Sequence, residues 1–401
     1  MSGRPADRWR KLLKIDPEAR REIAPRGGLE SIEAPADDPF ERIEVAREAM
    51  IRQIEDHFGR DPALLKAVEE LAITSEEAIE ILDSMPDVDP SPEQISSLEA
   101  IVMFDGTRPS FLVKDHQIDF ASSYNTGPWQ TELQPHLHAL TRTLPCIGRV
   151  ELGERHIGTA FLVTTTLAIT NRHVAQSIAR FDGDQIVLKP NTFLDFGREQ
   201  WNGKASFDRR RVESIVFAGS APVAAPIDHK KLDLAVVRVS ESKLDGDQRN
   251  RSLSTTSIGL DEYLAAGIVA AAGYPASPDL YVPTTLKSKY DAVLNKLLEG
   301  EGGAKRFAPG SPSDFMGGSG PDGWTLCHDA TTINGNSGSP LFLLGHNGKP
   351  ENVALVGLHY GGDWGGERIN WAHRLSATGN AAGYGTALTF SEFCRAEGIA
   401  L

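Results

Sequence analysis

The chain has 401 residues, of which 40% are hydrophobic and 24% charged, enough for two or three domains with a sizeable core. No run approaches the ~18 apolar residues of a membrane span, and Met1 to Asp7 lacks the apolar core of a secretory signal, so a cytoplasmic protein with no membrane partner is expected. The net charge of −14 is concentrated in residues 29–105, where 21 Asp and Glu face 5 Lys and Arg. Such a surface repels phosphate backbones and excludes nucleic acid as a partner, leaving two readings, solvated helix faces or a docking site for a basic protein.

Residues 1–28 alternate charged and apolar positions and read as a mobile arm, with one short helix over Trp9 to Ile15. Asp38-Pro39-Phe40-Glu41 combines a capping Asp with a proline at the first helical position, and Phe40, Ile43, Ala46, Met50, Ile54 and Phe58 recur at helical spacing until Gly59. Asp61-Pro62 opens a second helix, Thr74-Ser75-Glu76-Glu77 a third that runs to Pro86, and Ser91-Pro92-Glu93-Gln94 a fourth. Helices this short are marginal alone, so 29–105 is expected to form a small acidic bundle, without convergent polar residues and without chemistry. Residues 106–145 read as a connector packing on the β-rich domain C-terminal to it. It holds a hairpin over Ser110 to Asp119 and a helix from Trp129 to Leu144, whose His136 and His138 point apart and are expected at the surface.

From Cys146 the texture changes to short β-rich runs between Gly, Pro and Asp. Candidate strands are Ile147 to Leu152, Thr159 to Val163, Leu167 to Thr170, Gln185 to Leu188, Val212 to Phe217 and Leu234 to Val239. After a polar stretch come Ile268 to Gly273, Leu341 to Leu344, Ala354 to Leu358 and Gly383 to Thr389. The fold class predicted is multidomain, a small all-α module followed by an all-β double six-stranded barrel over 146–401, with barrels at about 146–240 and 264–390. Leu286 to Ala308 reads as a mobile loop beside the cleft, and Ser391 to Leu401 as a helix on the back of the second barrel. The cysteines Cys146, Cys327 and Cys394 are too few and too odd for a disulfide framework, and Cys327-His328 lacks metal-site spacing, so no metal or cofactor is expected.

Gly335-Asn336-Ser337-Gly338-Ser339-Pro340 reads as a nucleophile turn. A serine hydroxyl needs a base to take its proton, a group to orient that base, and donors for the oxyanion. Glycines beside Ser337 let the backbone bend and aim the N–H groups of Gly335 and Ser337 at one spot. His173 follows the apolar run Leu167 to Thr170, and Asp233 heads the run Leu234 to Val239. A buried carboxylate needs a hydrogen-bonded partner, and an imidazole N–H is one. The order is His173, Asp233, Ser337, with Asp228 as the alternative orienter.

These three segments resemble the trypsin-like serine protease superfamily. The Gly-Asn-Ser-Gly-Ser-Pro form is similar to its bacterial glutamyl-endopeptidase branch, as are Thr331-Thr332, Gly357-Leu358-His359-Tyr360-Gly361-Gly362, Gly273-Tyr274-Pro275 and Lys305 to Gly310. The resemblance, over about residues 106–390, implies a serine endopeptidase with His173 as general base, Asp233 as its orienter, Ser337 as nucleophile and Gly335 with Ser337 as oxyanion donors. It also implies that Thr332 and His359 contact an acidic side chain before the scissile bond, with Tyr360 and Gly361 on the strand that receives an extended peptide. A small or apolar residue is the competing occupant. Asn336 stands where trypsin has the Asp of its activation switch, so either the cleft is always formed or something attached, such as the helical module or a partner docking on it, controls it. Two other classes compete, a catalytically silent interaction protein on the protease fold and an esterase-like acyl transferase. The intact triad argues against the first and the peptide-pairing strand against the second.

Overall fold

Each long helix begins with a proline and a capping side chain. In the computed structural model, which describes residues 5–13, 15, 38–85, 87–122, 125–183, 185–199, 208–224, 227–244, 251–275, 303–313, 323–332, 336–363 and 369–400, α1 spans Pro5–Leu13, α2 Pro39–Phe58, α3 Pro62–Ser84 and α4 Pro92–Phe104. Asp38 accepts the Phe40 N–H, Asp61 those of Ala63 and Leu64, and Ser91 and Gln94 form a reciprocal box. The expected break at Thr74-Ser75 does not occur. Their hydroxyls donate to the carbonyls one turn back, Glu70 at 3.0 Å and Leu71 at 2.9 Å, and α3 runs through as one helix. Within the expected mobile arm, residues 5–13 are packed: Trp9 and Leu13 are buried with the faces of α2 to α4, and Arg10 Nε donates to the Leu82 carbonyl.

In the connector, β1 (Phe111–Lys114) and β2 (Gln117–Asp119) are joined by Asp115 and His116, both at positive φ. The predicted long helix is two short ones, α5 (Trp129–Leu133) and α6 (Leu137–Thr143), because Pro135 cannot continue the ladder. His136, expected at the surface, is buried against the Pro350 carbonyl, while His138 is exposed.

The first barrel closes with six strands. Its elements are β3 (Ile147–Leu152), β4 (Arg155–Leu162), β5 (Leu167–Thr170), α7 (Arg172–Ile178), β6 (Ala179–Asp182), β7 (Gln185–Leu188), β8 (Thr192–Asp195), β9 (Arg209–Ala218) and β10 (Ala235–Val239), and the closed order is β10-β5-β4-β3-β8-β9. Gln185–Leu188, predicted as a barrel strand, instead pairs with β6 in a separate ribbon. Its residues are exposed or half-buried, whereas Leu194 of β8 enters the core.

Among the described residues the second half does not close as a separate six-stranded barrel. Helix α8 (Leu260–Leu264) precedes β11 (Ile268–Gly273), β12 (Arg306–Gly310), β13 (Pro312–Ser313), β14 (Thr325–His328), β15 (Pro340–Leu344), β16 (Val353–Asp363) and β17 (Ile369–Arg374), and these strands join the connector hairpin in one sheet ordered β13-β14-β17-β16-β15-β11-β12-β1-β2. Phe111 of β1 pairs with Phe307 of β12. The predicted strand Gly383 to Thr389 is a turn region that touches the first barrel through the Gly219–Gly383 bridge. Helix α9 (Phe390–Glu397) also packs on the first barrel and not behind the second: the rings of Phe390 and Phe393 lie 5.2 and 5.1 Å from Phe217 of β9. Of the predicted loop Leu286 to Ala308, residues 286–302 lie outside the described residues, and its end is ordered core. Lys305 is fully buried, and its Nζ donates to the carbonyls of Leu144 and Phe196 and to Glu199 Oε1. Glu199 also accepts the His116 backbone N–H and pairs with His116 Nδ1, so one carboxylate ties connector, first barrel and second sheet together. Among the described residues no helix is long and apolar enough to cross a membrane.

Candidate active site

Antiparallel pairing sets the first contact. Ala235 of β10 lies opposite Thr170 of β5, so a residue just before β10 and one just after β5 meet at the same end of the barrel. These are Asp233 and His173. Asp233, 3% exposed, accepts the His173 backbone N–H at 2.9 Å through Oδ1 and pairs with ring Nδ1 at 2.6 Å through Oδ2. An ionised carboxylate only accepts, so Nδ1 carries the proton and Nε2 keeps its lone pair. Burial by itself would depress the imidazole, but the charge and hydrogen bond of Asp233 outweigh it and hold His173 above its ordinary value. Burial would likewise raise Asp233, and its bonds to His173 outweigh this and keep it low. Asp228, the alternative orienter, caps its own turn by accepting the Lys230 N–H.

Asp233 is held from a direction that the sequence reading missed. Its backbone N–H donates to Nε2 of His373 on β17 at 2.9 Å, and Asn171 Nδ2 donates to its carbonyl. His373 is completely buried, stacked 4.2 Å from the Tyr360 ring, and burial pushes it down to about 4, so it stays neutral and can accept.

The predicted nucleophile turn is clamped between the two halves. The Ser337 carbonyl accepts the Thr159 N–H of β4 at 2.8 Å, the Gly338 N–H donates to the His359 carbonyl at 3.0 Å, and the His359 N–H donates to the Ser339 carbonyl at 2.9 Å. Gly338 has φ 92°, and a Cβ there would overlap the Thr159 carbonyl oxygen, so both conformation and space demand glycine. The turn also lies near the segment that carries His173. A Cβ built on Gly158 would stand 2.8 Å from Val174, the residue after His173, and 3.1 Å from the Ser337 carbonyl oxygen. Of the predicted oxyanion pair, Gly335 lies outside the described residues and Ser337 sits in this turn.

The predicted pocket residues gather next to it. Thr332 Oγ1 donates to Asn370 Oδ1 at 2.6 Å, and Asn370 Nδ2 donates to the Ala330 carbonyl at 2.8 Å, so Asn370 of β17 belongs to this wall although the sequence did not single it out. His359 is buried with its ring 5.4 Å from that of His328, and burial lowers both, His328 to about 4 and His359 well below its ordinary value. Neither nitrogen of His328 and not Nδ1 of His359 has a hydrogen-bond partner among the described residues. Tyr360 shares a hydrogen bond with His229 at 2.7 Å, and Gly361 lies under the Ile227 side chain. Among the described residues no group of three His, Cys, Asp or Glu gathers for a metal ion.

Residues 158–349 match the family described as trypsin-like peptidase domain. This match and a serine protease relative make the protein a serine protease, a hydrolase. Over 383 residues the chain is 24% identical to "Probable serine protease FE772_23060" of Lysobacter enzymogenes, covering 91% of this chain and 93% of that one. Among solved structures it is similar to mouse neuropsin, a serine protease of the limbic system, at 16% identity and a TM-score of 0.38, covering 58% of this chain and 90% of neuropsin. It is also similar to inactive-form Rv3671c of M. tuberculosis H37Rv in its Ser343Ala mutant, at 14% identity and a TM-score of 0.33, covering 60% and 85%.

Proposed function

We propose that the chain is a serine endopeptidase in which His173 is the general base, Asp233 its orienter and Ser337 the nucleophile. The observation that carries this is the carboxylate of Asp233 accepting from both the backbone and the ring of His173, which leaves the lone pair on Nε2, while Gly158 brings Val174, the residue after His173, close to the Ser337 carbonyl. His173 Nε2 takes the Ser337 Oγ proton as the oxygen attacks the substrate carbonyl, and the N–H groups of Ser337 and Gly335 receive the oxyanion. The proton then passes to the departing amine, and water, activated by the same imidazole, hydrolyses the acyl-enzyme. Strand β16 at Tyr360 and Gly361, paired with β17 but past its pairing with β15, receives the peptide as an added strand.

The pocket favours an acidic or neutral polar residue before the scissile bond. Thr332, Asn370 and His359 are uncharged hydrogen-bonding groups, and none supplies the carboxylate that would select Lys or Arg. Thr332 spends its only proton on Asn370, so of the two predicted pocket side chains His359 is the one left to donate to a substrate carboxylate. The acidic helical module recruits or controls the enzyme through a protein partner. The test is cleavage of a peptide library and labelling by a fluorophosphonate, with the wild type and Ser337→Ala. Labelling and cleavage lost only in the variant support the reading, and cleavage retained by Ser337→Ala ends it.

A further inference from the structure

The segment that leads into the nucleophile turn is gripped on both sides. Within Asp329 to Thr332, the Ala330 carbonyl and Thr332 hydroxyl bond Asn370. Asp329 and Thr331 both meet Arg108. Arg108 Nε donates to Asp329 Oδ1 at 2.8 Å and Nη2 to Oδ2 at 2.6 Å, a bidentate pair, while Thr331 Oγ1 donates to the Arg108 carbonyl at 2.6 Å. The guanidinium also lies 5.6 Å over the Trp129 ring and reaches Ser311. Asp329 is further fixed by accepting the Ser311 N–H at 2.7 Å.

Arg108 is not part of either protease half. It stands four residues past α4, its N–H donates to the Val102 carbonyl, and its Nη1 donates to the carbonyl of Thr107. Thr107 in turn accepts from Arg42 Nη2 of α2 at 2.7 Å, and Arg42 Nε pairs with the buried Asp105 at 2.7 Å. A continuous set of charged hydrogen bonds therefore runs from the helical module to the back of the pocket wall.

We propose that Arg108 is a positioning residue for proteolysis: it holds the 329–332 segment from behind, so that the shape of the substrate pocket depends on the docked helical module. This rests on the serine protease reading above. A spatial chain of contacts alone does not establish coupling, so the test is a thermodynamic cycle. In the full-length protein, kcat and KM on a peptide that the wild type cleaves are measured for Arg108→Ala, Arg108→Lys, Asp329→Asn, the Arg108→Ala/Asp329→Asn double variant and Arg42→Ala. Fluorophosphonate labelling of Ser337 and the thermal midpoint are measured alongside. Asp329→Asn keeps an acceptor for Ser311 and is the gentler variant if Arg108→Ala fails to fold.

A displaced wall should lower kcat/KM by about 10- to 100-fold. The loss should fall mainly in KM, with labelling changed far less because the small probe does not fill the pocket. Arg108→Lys should recover part of the activity, the double variant should be no worse than either single, and Arg42→Ala should shift KM in the same direction by less. Wild-type kcat/KM in Arg108→Ala and Asp329→Asn, additive losses in the double, or labelling that falls in step with cleavage would each overturn the proposal. A wild type that neither cleaves nor labels would instead fail the serine protease reading, which keeps the two failures apart.

Discussion

Asp233→Asn tests the site at its most constrained point. The carboxylate satisfies two donors, the His173 backbone N–H at 2.9 Å and ring Nδ1–H at 2.6 Å. An amide has one oxygen, so it can accept only one of them. Turning its NH2 toward the backbone N–H would leave two donors facing each other in a buried site, at about 1–3 kcal/mol. The amide therefore turns its oxygen to the backbone and its NH2 to the ring, which forces the proton onto Nε2 and removes the base that Ser337 needs. The wrong tautomer costs about four decades in kcat in comparable triads, or about 5 kcal/mol of barrier at ~1.36 kcal/mol per decade, while folding loses no more than one hydrogen bond. The assay is kcat against pH with thermal unfolding as control. In the wild type, activity needs neutral His173 and is lost as pH falls through its raised value, above about 6.5. Removing the Asp233 charge leaves burial to dominate, and the acid limb of any residual activity moves to lower pH. Turnover within tenfold of wild type on an unmoved acid limb would refute the argument.

Three further outcomes are expected from the geometry. His359→Leu should lower the preference for Glu over Ala before the scissile bond by at least tenfold, and Thr332→Val by less, because its proton is already given to Asn370; a wild-type cleavage profile without acidic enrichment refutes both. Gly338→Ala forces a side chain into the left-handed region, at about 1–2 kcal/mol, and into the Thr159 carbonyl, so denaturant midpoint and turnover should both fall, and unchanged turnover would count against the clamped turn. A chain starting at Gly106 keeps Arg108 but loses Arg42 and Asp105, and it should fold, label with fluorophosphonate and differ from the full chain in KM; identical kinetics on peptide and protein substrates would leave the module without a controlling role.

Local chemistry was legible wherever one residue type has one job. The capped prolines that start α2, α3 and α4 and the apolar runs flanking His173 and Asp233 are where the sequence places them. What was hidden depends on partners distant in the chain. Thr74 and Ser75 look like a helix start until their hydroxyls are seen bonded one turn back, inside a helix whose neighbours bury Ser75. Gln185 to Leu188 and Thr192 to Asp195 both suit a strand, and only the barrel's closure selects the second. His373 becomes part of the site through a bond spanning 140 residues, and Arg108 through one spanning 221. No local pattern marks either.

The pairing of Phe111 with Phe307 has a consequence in time. On the ribosome the connector strand emerges first and its partner 196 residues later, which at about 5–20 residues per second is a delay of roughly 10–40 s. The helical module and the whole first barrel, with His173 and Asp233 already joined, can form in that interval. Ser337 is synthesised after β12, so a nascent chain holds the His173–Asp233 pair without the serine that the proposed mechanism gives it, and a connector strand waiting for its neighbour, until its last quarter has been made.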